Sequence, residues 1–467
     1  MGRVSRTLEN VAHFAAGLAA GAAGVVLIES LTSRRGLDPS LIRVPADRDD
    51  IPTTVIIPGI LGSELLRPDG TPVWLNARNA IGSYDLSLPL TLPLHASRDD
   101  LVPGTLLGTE ALFPRLFGFS EYADLLELLR GAGFQPLRDT PPAGASFHVF
   151  GYDWRRDLVE SARDLHETLE ALAHRRRNPQ ARFNIVGHSM GGLVARYYLR
   201  YGTAEPEDDA PVTWAGARRI QNLVVVAAPN GGSIAALDTI LNGSKVGFSS
   251  TTLSPAVVAG MPAIYQLLPP EGTRVLLGEH CQPLEADLHD PASWERFGWA
   301  PFGDRPAGPA GDAVEPVLDR DAHRTFVRAA LARARVFYRA LNRRPTTTCP
   351  VRVQALGGDC LPTLARAMVL ENEGLRPRFE SSNRDEARGL FEAGDGRVPR
   401  ASVLATHLPG AEDSDTGSGL PELAQALFGS ADHHGIYDEP TFQSALLRIL
   451  LRPPRGRSQP RTAVTRA

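Results

Sequence analysis

The sequence predicts an α/β fold, in which a central, mostly parallel sheet carries helices on both faces and a large inserted cap. Short apolar runs rich in β-branched residues, at residues 53–57 and 220–228, are typical of strands buried in such a sheet. Segments of helical period, such as residues 157–175, alternate with these runs. With 467 residues and 43% hydrophobic side chains, the chain is long enough to bury a sizeable core.

The central motif is a G-x-S-x-G sequence between a predicted strand at residues 183–186 and a helical pattern that begins near Leu193. A sharp turn from strand to helix forces its middle residue into strained backbone geometry, so its neighbours must be small. Gly187 and Gly191 meet that need, and Ser189 would stand exposed at the start of the helix. This arrangement is the nucleophile elbow of α/β-hydrolases, and it predicts Ser189 as the catalytic nucleophile.

A second glycine-rich turn, P-G-I-L-G at residues 58–62, follows the first predicted strand directly. Enzymes with a nucleophile elbow take one N–H of their oxyanion hole from a loop after an early strand. The other N–H comes from the residue that follows the nucleophile. The predicted donors are therefore the backbone N–H groups of Leu61 and Met190.

The catalytic base is sought late in the chain, because the triad of this fold runs serine, acid, histidine. Of the twelve histidines, that order leaves His407, His433 and His434. His407 lies in a run, residues 402–408, that the pattern predicts to be regular structure. His433 and His434 lie in a loop before the final helical segment, and the apolar Ile436 three residues on favours His433 as the base. His434 is the alternative.

Two aspartates compete for the role of the acid. Asp359 follows a predicted strand at residues 351–356, which is the usual position. Asp395 lies in a tight Gly-Asp-Gly turn, where backbone N–H groups could hold a carboxylate ionised. Asp432 is too close in sequence to His433 to face its ring. The residues alone leave Asp359 and Asp395 nearly tied.

The chain is expected to form one catalytic domain, residues 51–452, with cap insertions at about 64–145 and 233–329. Residues 1–50 hold an apolar segment and a linker, and residues 453–467 form a basic tail that is expected to be disordered. Within the first part, arginines precede an apolar stretch at residues 11–28 that fits a signal peptide, a membrane anchor or a soluble helix. This pattern favours membrane association or export over a cytoplasmic location, and the compartment stays open.

Composition argues against several classes of partner and cofactor. The formal net charge of −4 gives no electrostatic footprint for nucleic acid. Cys281, Cys349 and Cys360 lack the spacing of a zinc site or a disulfide scaffold. The chain also lacks G-x-G-x-x-G and P-loop motifs, so neither a metal nor a nucleotide cofactor is predicted.

Six short motifs lie between residues 54 and 440, and each occurs once. They are P-G-I-L-G at 58–62, Y-D-W-R at 152–155, G-H-S-M-G at 187–191, A-P-N-G-G at 228–232, Y-Q-L-L-P at 265–269 and G-D-G-R-V at 394–398. With these motifs the chain resembles the lecithin–cholesterol acyltransferase family, which includes lysosomal phospholipases and phospholipid–diacylglycerol acyltransferases. The resemblance implies an α/β-hydrolase fold, Asp395 rather than Asp359 as the acid, and Leu61 and Met190 as the oxyanion pair.

The resemblance also implies serine-dependent acyl transfer on lipid esters through an acyl-enzyme. The substrate would be a phospholipid or another acyl lipid, met at a membrane surface, and the acceptor would be water or an alcohol. The chain departs from the family in lacking the lid cysteine pair of the vertebrate enzymes, and in carrying Arg397 where the family has threonine. Two alternatives remain: a carboxylesterase for small esters, and a catalytically silent α/β-hydrolase that acts as a binding protein.

Overall fold

The structure is a computed structural model. It describes residues 50–74, 85–106, 121–138, 144–245, 252–303, 319–370, 377–381, 384–415 and 417–452. The apolar segment predicted at residues 11–28 and the basic tail predicted at 453–467 lie outside the described residues. All described residues fall within one of the two compact units of the chain, Pro39–Ala467.

The strands of the described chain are short and spread along its whole length. In order they are β1 Thr54–Ile57, β2 Ser63–Leu66, β3 Pro72–Trp74, β4 Val102–Leu106, β5 Gln135–Pro136, β6 Ser146–Val149, β7 Phe183–His188, β8 Ile220–Val226, β9 Ser244–Lys245, β10 Thr252–Leu253, β11 Leu276–Leu277, β12 Arg352–Gly358, β13 Leu361–Leu364, β14 Ala367–Val369, β15 Pro377–Arg378, β16 Phe391–Gly394 and β17 Leu423–Gly429.

Seven of these strands form one sheet in the order β17-β12-β8-β7-β1-β6-β5, and every neighbouring pair in it is parallel. Every residue of β1 and β7 is buried. A parallel strand that is covered on both faces favours apolar side chains, which explains why these segments are mostly apolar. The predicted α/β fold with a mostly parallel sheet is confirmed.

The path of the chain creates a crevice beside β1 and β7. From β1 the chain runs out to β5 and β6 on one side, and it then returns to β7 on the other side. The loops that leave β1 and β7 therefore diverge, and in open α/β sheets ligands bind at such a reversal, at the carboxyl ends of the strands. The register pairs Ile57 with Gly187, so the two strands end side by side.

The helical segment predicted at residues 157–175 is a helix, and further helices lie along the described chain. In chain order they are α1 Glu121–Gly131, α2 Leu158–Arg175, α3 Met190–Tyr201, α4 Ile234–Asn242, α5 Pro255–Val258, α6 Pro262–Tyr265, α7 Pro291–Phe297, α8 Arg320–Asn342, α9 Arg384–Leu390, α10 Arg400–Val403 and α11 Pro440–Leu450. Helix α2 begins where the Asp157 carboxylate accepts a hydrogen bond from the Val159 N–H, which satisfies one of the unpaired amides of the first turn. In the described part of the chain, no helix is long and apolar enough to cross a membrane.

Small antiparallel sheets lie outside the main sheet, and the sequence patterns did not predict them. Strands β2, β3 and β4 form one in the range predicted as a first cap insertion, and β13 pairs with β16 in another. These strands are three to five residues long, which is too short for a reliable period of two. The boundaries of the catalytic domain and of its insertions stay predictions.

Candidate active site

Ser189 occupies the turn between β7 and α3. Its φ of 51° and ψ of −125° place it in a backbone region that a residue with a side chain rarely adopts. The turn is held by its backbone, because the Ser189 N–H donates to the Val226 carbonyl at 2.8 Å and the Gly192 N–H donates to the Ser189 carbonyl at 2.9 Å. The residue is only 9% exposed, so the prediction that Ser189 would stand exposed at the start of the helix was wrong.

The two glycines of the motif are required by close approach. A Cβ on Gly187 would lie 2.7 Å from the Gly191 carbonyl oxygen, and a Cβ on Gly191 would lie 2.5 Å from the Ile57 carbonyl oxygen. Both distances are shorter than real Cβ atoms permit, and the atoms that would be met are backbone atoms. The predicted need for small residues on either side of Ser189 therefore has a direct steric origin.

Asp395 and His433 are hydrogen bonded to each other. His433 Nδ1 lies 2.8 Å from Asp395 Oδ2, and the His433 N–H donates to the Asp395 carbonyl at 2.9 Å. The other carboxylate oxygen accepts the N–H groups of Arg397 at 2.9 Å and Val398 at 2.7 Å, in the Gly-Asp-Gly turn after β16. The pair is buried, with Asp395 1% and His433 7% exposed.

These contacts control the ionisation of Asp395. Burial alone would raise the pKa of this carboxyl group. The charge and hydrogen bond of His433 and the N–H donors of Val398 and Arg397 outweigh burial, so the pKa lies below its ordinary value. The carboxylate is thus ionised at neutral pH, and it holds the proton of the imidazole on Nδ1. The Nε2 atom of His433 is then the basic nitrogen.

His433 contacts the turn that holds Ser189 by packing against His188, the residue before Ser189. The two imidazole rings lie 4.9 Å apart between centroids, and His188 Nε2 lies 3.3 Å from the His433 carbonyl oxygen. Within the described residues, no hydrogen bond joins the Ser189 hydroxyl to the His433 ring. Such bonds are often long in a free enzyme and tighten when substrate binds.

The loop after β1 passes directly over Ser189. A Cβ on Gly59 would lie 2.9 Å from the Ser189 Cβ and 3.4 Å from its Oγ, so only glycine lets the backbone come so near. Leu61 has a φ of 66°, and its carbonyl accepts a hydrogen bond of 2.9 Å from Trp74 Nε1. Among the described residues, nothing accepts a hydrogen bond from the N–H groups of Leu61 and Met190. Both groups remain available to an oxyanion.

The competing candidates lie in different surroundings. Asp359 forms an ion pair with Arg400 at 2.9 Å, on a carboxylate that is 28% exposed. Asp432 turns its carboxylate to the backbone, where it accepts the N–H groups of His434 at 3.0 Å and Gly435 at 2.6 Å. The structure therefore brings Asp395, and neither of these aspartates, to the ring of His433.

The two alternative histidines differ in how near they lie to this pair. His434 packs edge-on against the His433 ring at 5.5 Å between centroids. His407 lies next to Gly231, with its Nδ1 3.2 Å from where a Cβ of that glycine would be. The prediction that residues 402–408 form regular structure was wrong beyond Val403, where α10 ends and a series of turns follows.

One residue of the site was missed by the sequence analysis. Tyr122, near the start of α1, accepts the Gly59 N–H at 2.8 Å, and its hydroxyl lies 2.9 Å from His188 Nδ1. Nothing in the sequence of α1 marks which of its side chains reaches a loop 63 residues earlier.

The described residues offer no metal centre, since no group of three His, Cys, Asp or Glu side chains converges there. The three cysteines are free thiols. Within the described residues, the hydrogen-bonded pair of Asp395 and His433 lies close to the strained turn at Ser189, through the contact of His433 with His188.

Comparison with known families gives a match to part of the chain. Residues 121–295 match the lecithin:cholesterol acyltransferase family. This match confirms the resemblance that the six motifs predicted, and it supports the class of lipid ester hydrolases and acyltransferases. The lecithin:cholesterol acyltransferase segment contains the nucleophile turn and Tyr122, whereas Asp395 and His433 lie beyond it.

Among curated proteins, an uncharacterized protein of Saccharomyces cerevisiae, YJR098C, is 27% identical over 153 residues, which are 33% of this chain. The match spans 21% of the length of that yeast protein.

Three solved structures are similar to part of this chain. The structure of the Tle4–Tli4 complex is 18% identical with a TM-score of 0.48, and the match covers 86% of this chain and 99% of that one. The mature lipase BlEst2 of Bacillus licheniformis is 11% identical with a TM-score of 0.34, over 87% of this chain and 92% of that one. Phospholipase PlaB of Legionella pneumophila is 12% identical with a TM-score of 0.33, over 86% and 60% of the two chains.

Proposed function

We propose that this chain is a serine acyl-transfer enzyme that acts on lipid esters through a covalent acyl-enzyme. Ser189 is the nucleophile, His433 the general base, and Asp395 the residue that orients the imidazole. The N–H groups of Leu61 and Met190 stabilise the oxyanion. The observation that carries this proposal is the buried hydrogen bond of 2.8 Å between Asp395 and His433, next to a serine held at a φ of 51°.

In the first half-reaction, the Ser189 Oγ bonds to the ester carbonyl carbon while His433 Nε2 takes its proton. The carbonyl oxygen becomes an oxyanion that accepts the N–H groups of Leu61 and Met190. The tetrahedral intermediate then collapses, the bond to the leaving alcohol breaks, and His433 returns the proton to that alcohol. The buried carboxylate of Asp395 stabilises the imidazolium that exists between the two proton transfers.

In the second half-reaction, an acceptor attacks the acyl-serine with the same help from His433. Attack by water releases a fatty acid, and attack by an alcohol gives a new ester. The outcome depends on how well the closed site excludes water while the acceptor binds. We propose a phospholipid or similar acyl lipid as the donor, taken from a membrane surface, on the strength of the family match over residues 121–295.

The test is labelling with a fluorophosphonate ester, which reacts with activated serines, followed by mass spectrometry of the intact protein. We expect one adduct on the wild type and none on Ser189→Ala. Ser233→Ala is the matched control, because Ser233 also follows a glycine turn at the end of a sheet strand and begins a helix. That control is expected to keep the adduct.

The labelled and unlabelled proteins are then given phospholipid vesicles with and without a long-chain alcohol. The ratio of free fatty acid to new ester measures hydrolysis against transfer. Turnover of short, water-soluble esters with no reaction on vesicles would favour the small-ester esterase. A folded wild type that takes up no label and turns over no ester would refute the enzyme and leave the binding protein.

A further inference from the structure

Three loops of the site are joined by one chain of hydrogen bonds. The Gly59 N–H lies 2.8 Å from the Tyr122 hydroxyl, this hydroxyl lies 2.9 Å from His188 Nδ1, and His188 Nε2 lies 3.3 Å from the His433 carbonyl. Gly59 belongs to the loop with the predicted oxyanion donor, His188 immediately precedes the nucleophile, and His433 is the base. Tyr122 and His188 are 1% and 2% exposed.

The chemistry of the end groups fixes the direction of this chain. The His433 carbonyl can only accept a hydrogen bond, so His188 must carry its proton on Nε2. His188 Nδ1 is then an acceptor and takes the single proton of the Tyr122 hydroxyl. The tyrosine oxygen is left to accept the Gly59 N–H, which can only donate. Each proton in this series of hydrogen bonds therefore has one allowed position.

The surroundings of His188 keep it in this neutral form. Burial lowers its pKa well below the ordinary value, and the neighbouring charges of His433 and His434 lower it further. The ring is also packed against Tyr122 on one side and His433 on the other, at 5.6 Å and 4.9 Å between centroids. The His188 ring therefore donates a hydrogen bond from Nε2 and accepts one at Nδ1 in a fixed position.

Both ends of the chain hold atoms whose position matters for the reaction. At one end, the Tyr122 hydroxyl holds Gly59, two residues before the Leu61 N–H, in a loop where a Cβ on Gly59 would lie only 2.9 Å from the Ser189 Cβ. At the other end, the His433 backbone is held while its side chain is bonded to Asp395. A displacement of about 1 Å at either point is enough to slow such reactions by about 100-fold.

We propose that Tyr122 and His188 are positioning residues, which together hold the oxyanion loop and the general base in register with Ser189. This inference rests on the proposed function. Neither side chain takes or gives a proton during the reaction. Their task is to keep two loops, separated by about 370 residues of sequence, at a constant spacing from the nucleophile.

The experiment compares steady-state kinetics of Tyr122→Phe with Tyr201→Phe on one soluble ester and on phospholipid vesicles. Tyr201→Phe is a matched control: it also removes a buried tyrosine hydroxyl, which donates to the Ala340 carbonyl at 2.9 Å and does not touch the site. We expect kcat to fall by about 10- to 100-fold in Tyr122→Phe with KM changed by less than about threefold. The control is expected to stay within about twofold of the wild type.

Two further variants separate the hydrogen bond between Tyr122 and His188 from the one between His188 and His433. In His188→Asn the amide oxygen replaces Nδ1 and can still accept from Tyr122, whereas in His188→Gln the amide nitrogen replaces Nε2 and can still donate to His433. Each is expected to lose less kcat than His188→Ala. The double variant Tyr122→Phe with His188→Asn is expected to lose less than the product of the single losses, since the two side chains act as one unit.

Each outcome bears on one proposal. A kcat of Tyr122→Phe equal to that of Tyr201→Phe would overturn the positioning role while the wild type remains an active enzyme. A wild type without label or turnover would instead refute the proposed function. If Tyr122→Phe does not fold, His188→Asn decides instead. A loss of kcat as large as that of His188→Ala would overturn the inference, and so would a kcat equal to that of the wild type.

Discussion

At the scale of single residues, the surroundings of two aspartates separate their roles. Asp395 is 1% exposed and accepts hydrogen bonds from His433 and from two backbone N–H groups. Asp359 follows the main sheet directly but is paired with Arg400 near solvent. A carboxylate orients an imidazole when it is itself held in place, and of these two aspartates only Asp395 is held by backbone N–H groups and bonded to the His433 ring. The ion pair of Asp359 lies near the surface, where such pairs contribute little to stability, and it does not include His433.

Asparagine at these two positions tests the assignment of the acid. Asp395→Asn keeps the shape of the side chain but loses the charge, so His433 is expected to be held in the wrong tautomer. We expect kcat on a soluble ester to fall by about 10³- to 10⁴-fold, the magnitude typical of this change in serine triads. Asp359→Asn is the matched control and is expected to stay within about threefold of the wild type. Equal losses in the two variants would contradict the assignment.

At the scale of elements, the Y-D-W-R motif fastens the segment at residues 85–101 to the end of β6. The Arg155 guanidinium bonds to both oxygens of Asp99, at 2.6 Å and 2.9 Å, and to both oxygens of Asp153, at 2.9 Å and 2.8 Å. It also donates to the Leu86 carbonyl at 3.3 Å. Burial alone would lower the pKa of Arg155, but the bonds to Asp153 and Asp99 outweigh it and raise the pKa. The charge is therefore fully retained.

Removing this arginine is expected to release the segment. Arg155→Met leaves Asp99 and Asp153 without their partner, and we expect the free energy of unfolding to fall by about 3–5 kcal/mol. Amide hydrogen exchange, measured by mass spectrometry, should speed up in residues 86–101 before it does in β7. Arg328→Met is the control, because its ion pair with Glu295 is about half exposed and is expected to contribute at most about 1 kcal/mol. Exchange that rises equally everywhere would mean that Arg155 holds no separate segment.

The elements also show where sequence reasoning succeeds and where it stops. Four strands of the main sheet, β1, β7, β8 and β12, were predicted within about two residues, because burial on both faces leaves a largely apolar run in the sequence. The hairpin of β13 and β16, which carries Asp395, was not predicted. Its two strands are 26 residues apart, and neither is continuously apolar. Its pairing depends on contacts that a local pattern does not contain, and for that reason Asp359 and Asp395 remained tied on the residues alone.

At the scale of the whole molecule, burial of neutral histidines couples folding to pH. Four histidines in separate parts of the fold have their pKa lowered from 6.5 to about 4, with burial as the largest cause. They are His148, His289, His323 and His407. Nearby arginines, Arg175 and Arg335, lower the pKa of the first two further. In the unfolded chain these groups return to ordinary pKa values near 6.5.

The sign of the effect follows from counting protons. Between pH 6.5 and pH 4 the unfolded chain binds protons on these histidines that the folded chain does not. The free energy of unfolding therefore decreases as the pH falls through this range, and this contribution levels off below pH 4. At pH 5, these four histidines are expected to take up about three to four protons from the buffer when the protein unfolds. Calorimetry in two buffers of different ionisation enthalpy measures this uptake. His289→Phe keeps a ring where His289 stacks on Tyr338, 5.7 Å between centroids, and is expected to reduce the uptake by about one proton. A melting temperature that is constant from pH 7.5 to pH 5, or an uptake that His289→Phe leaves unchanged, would contradict this account.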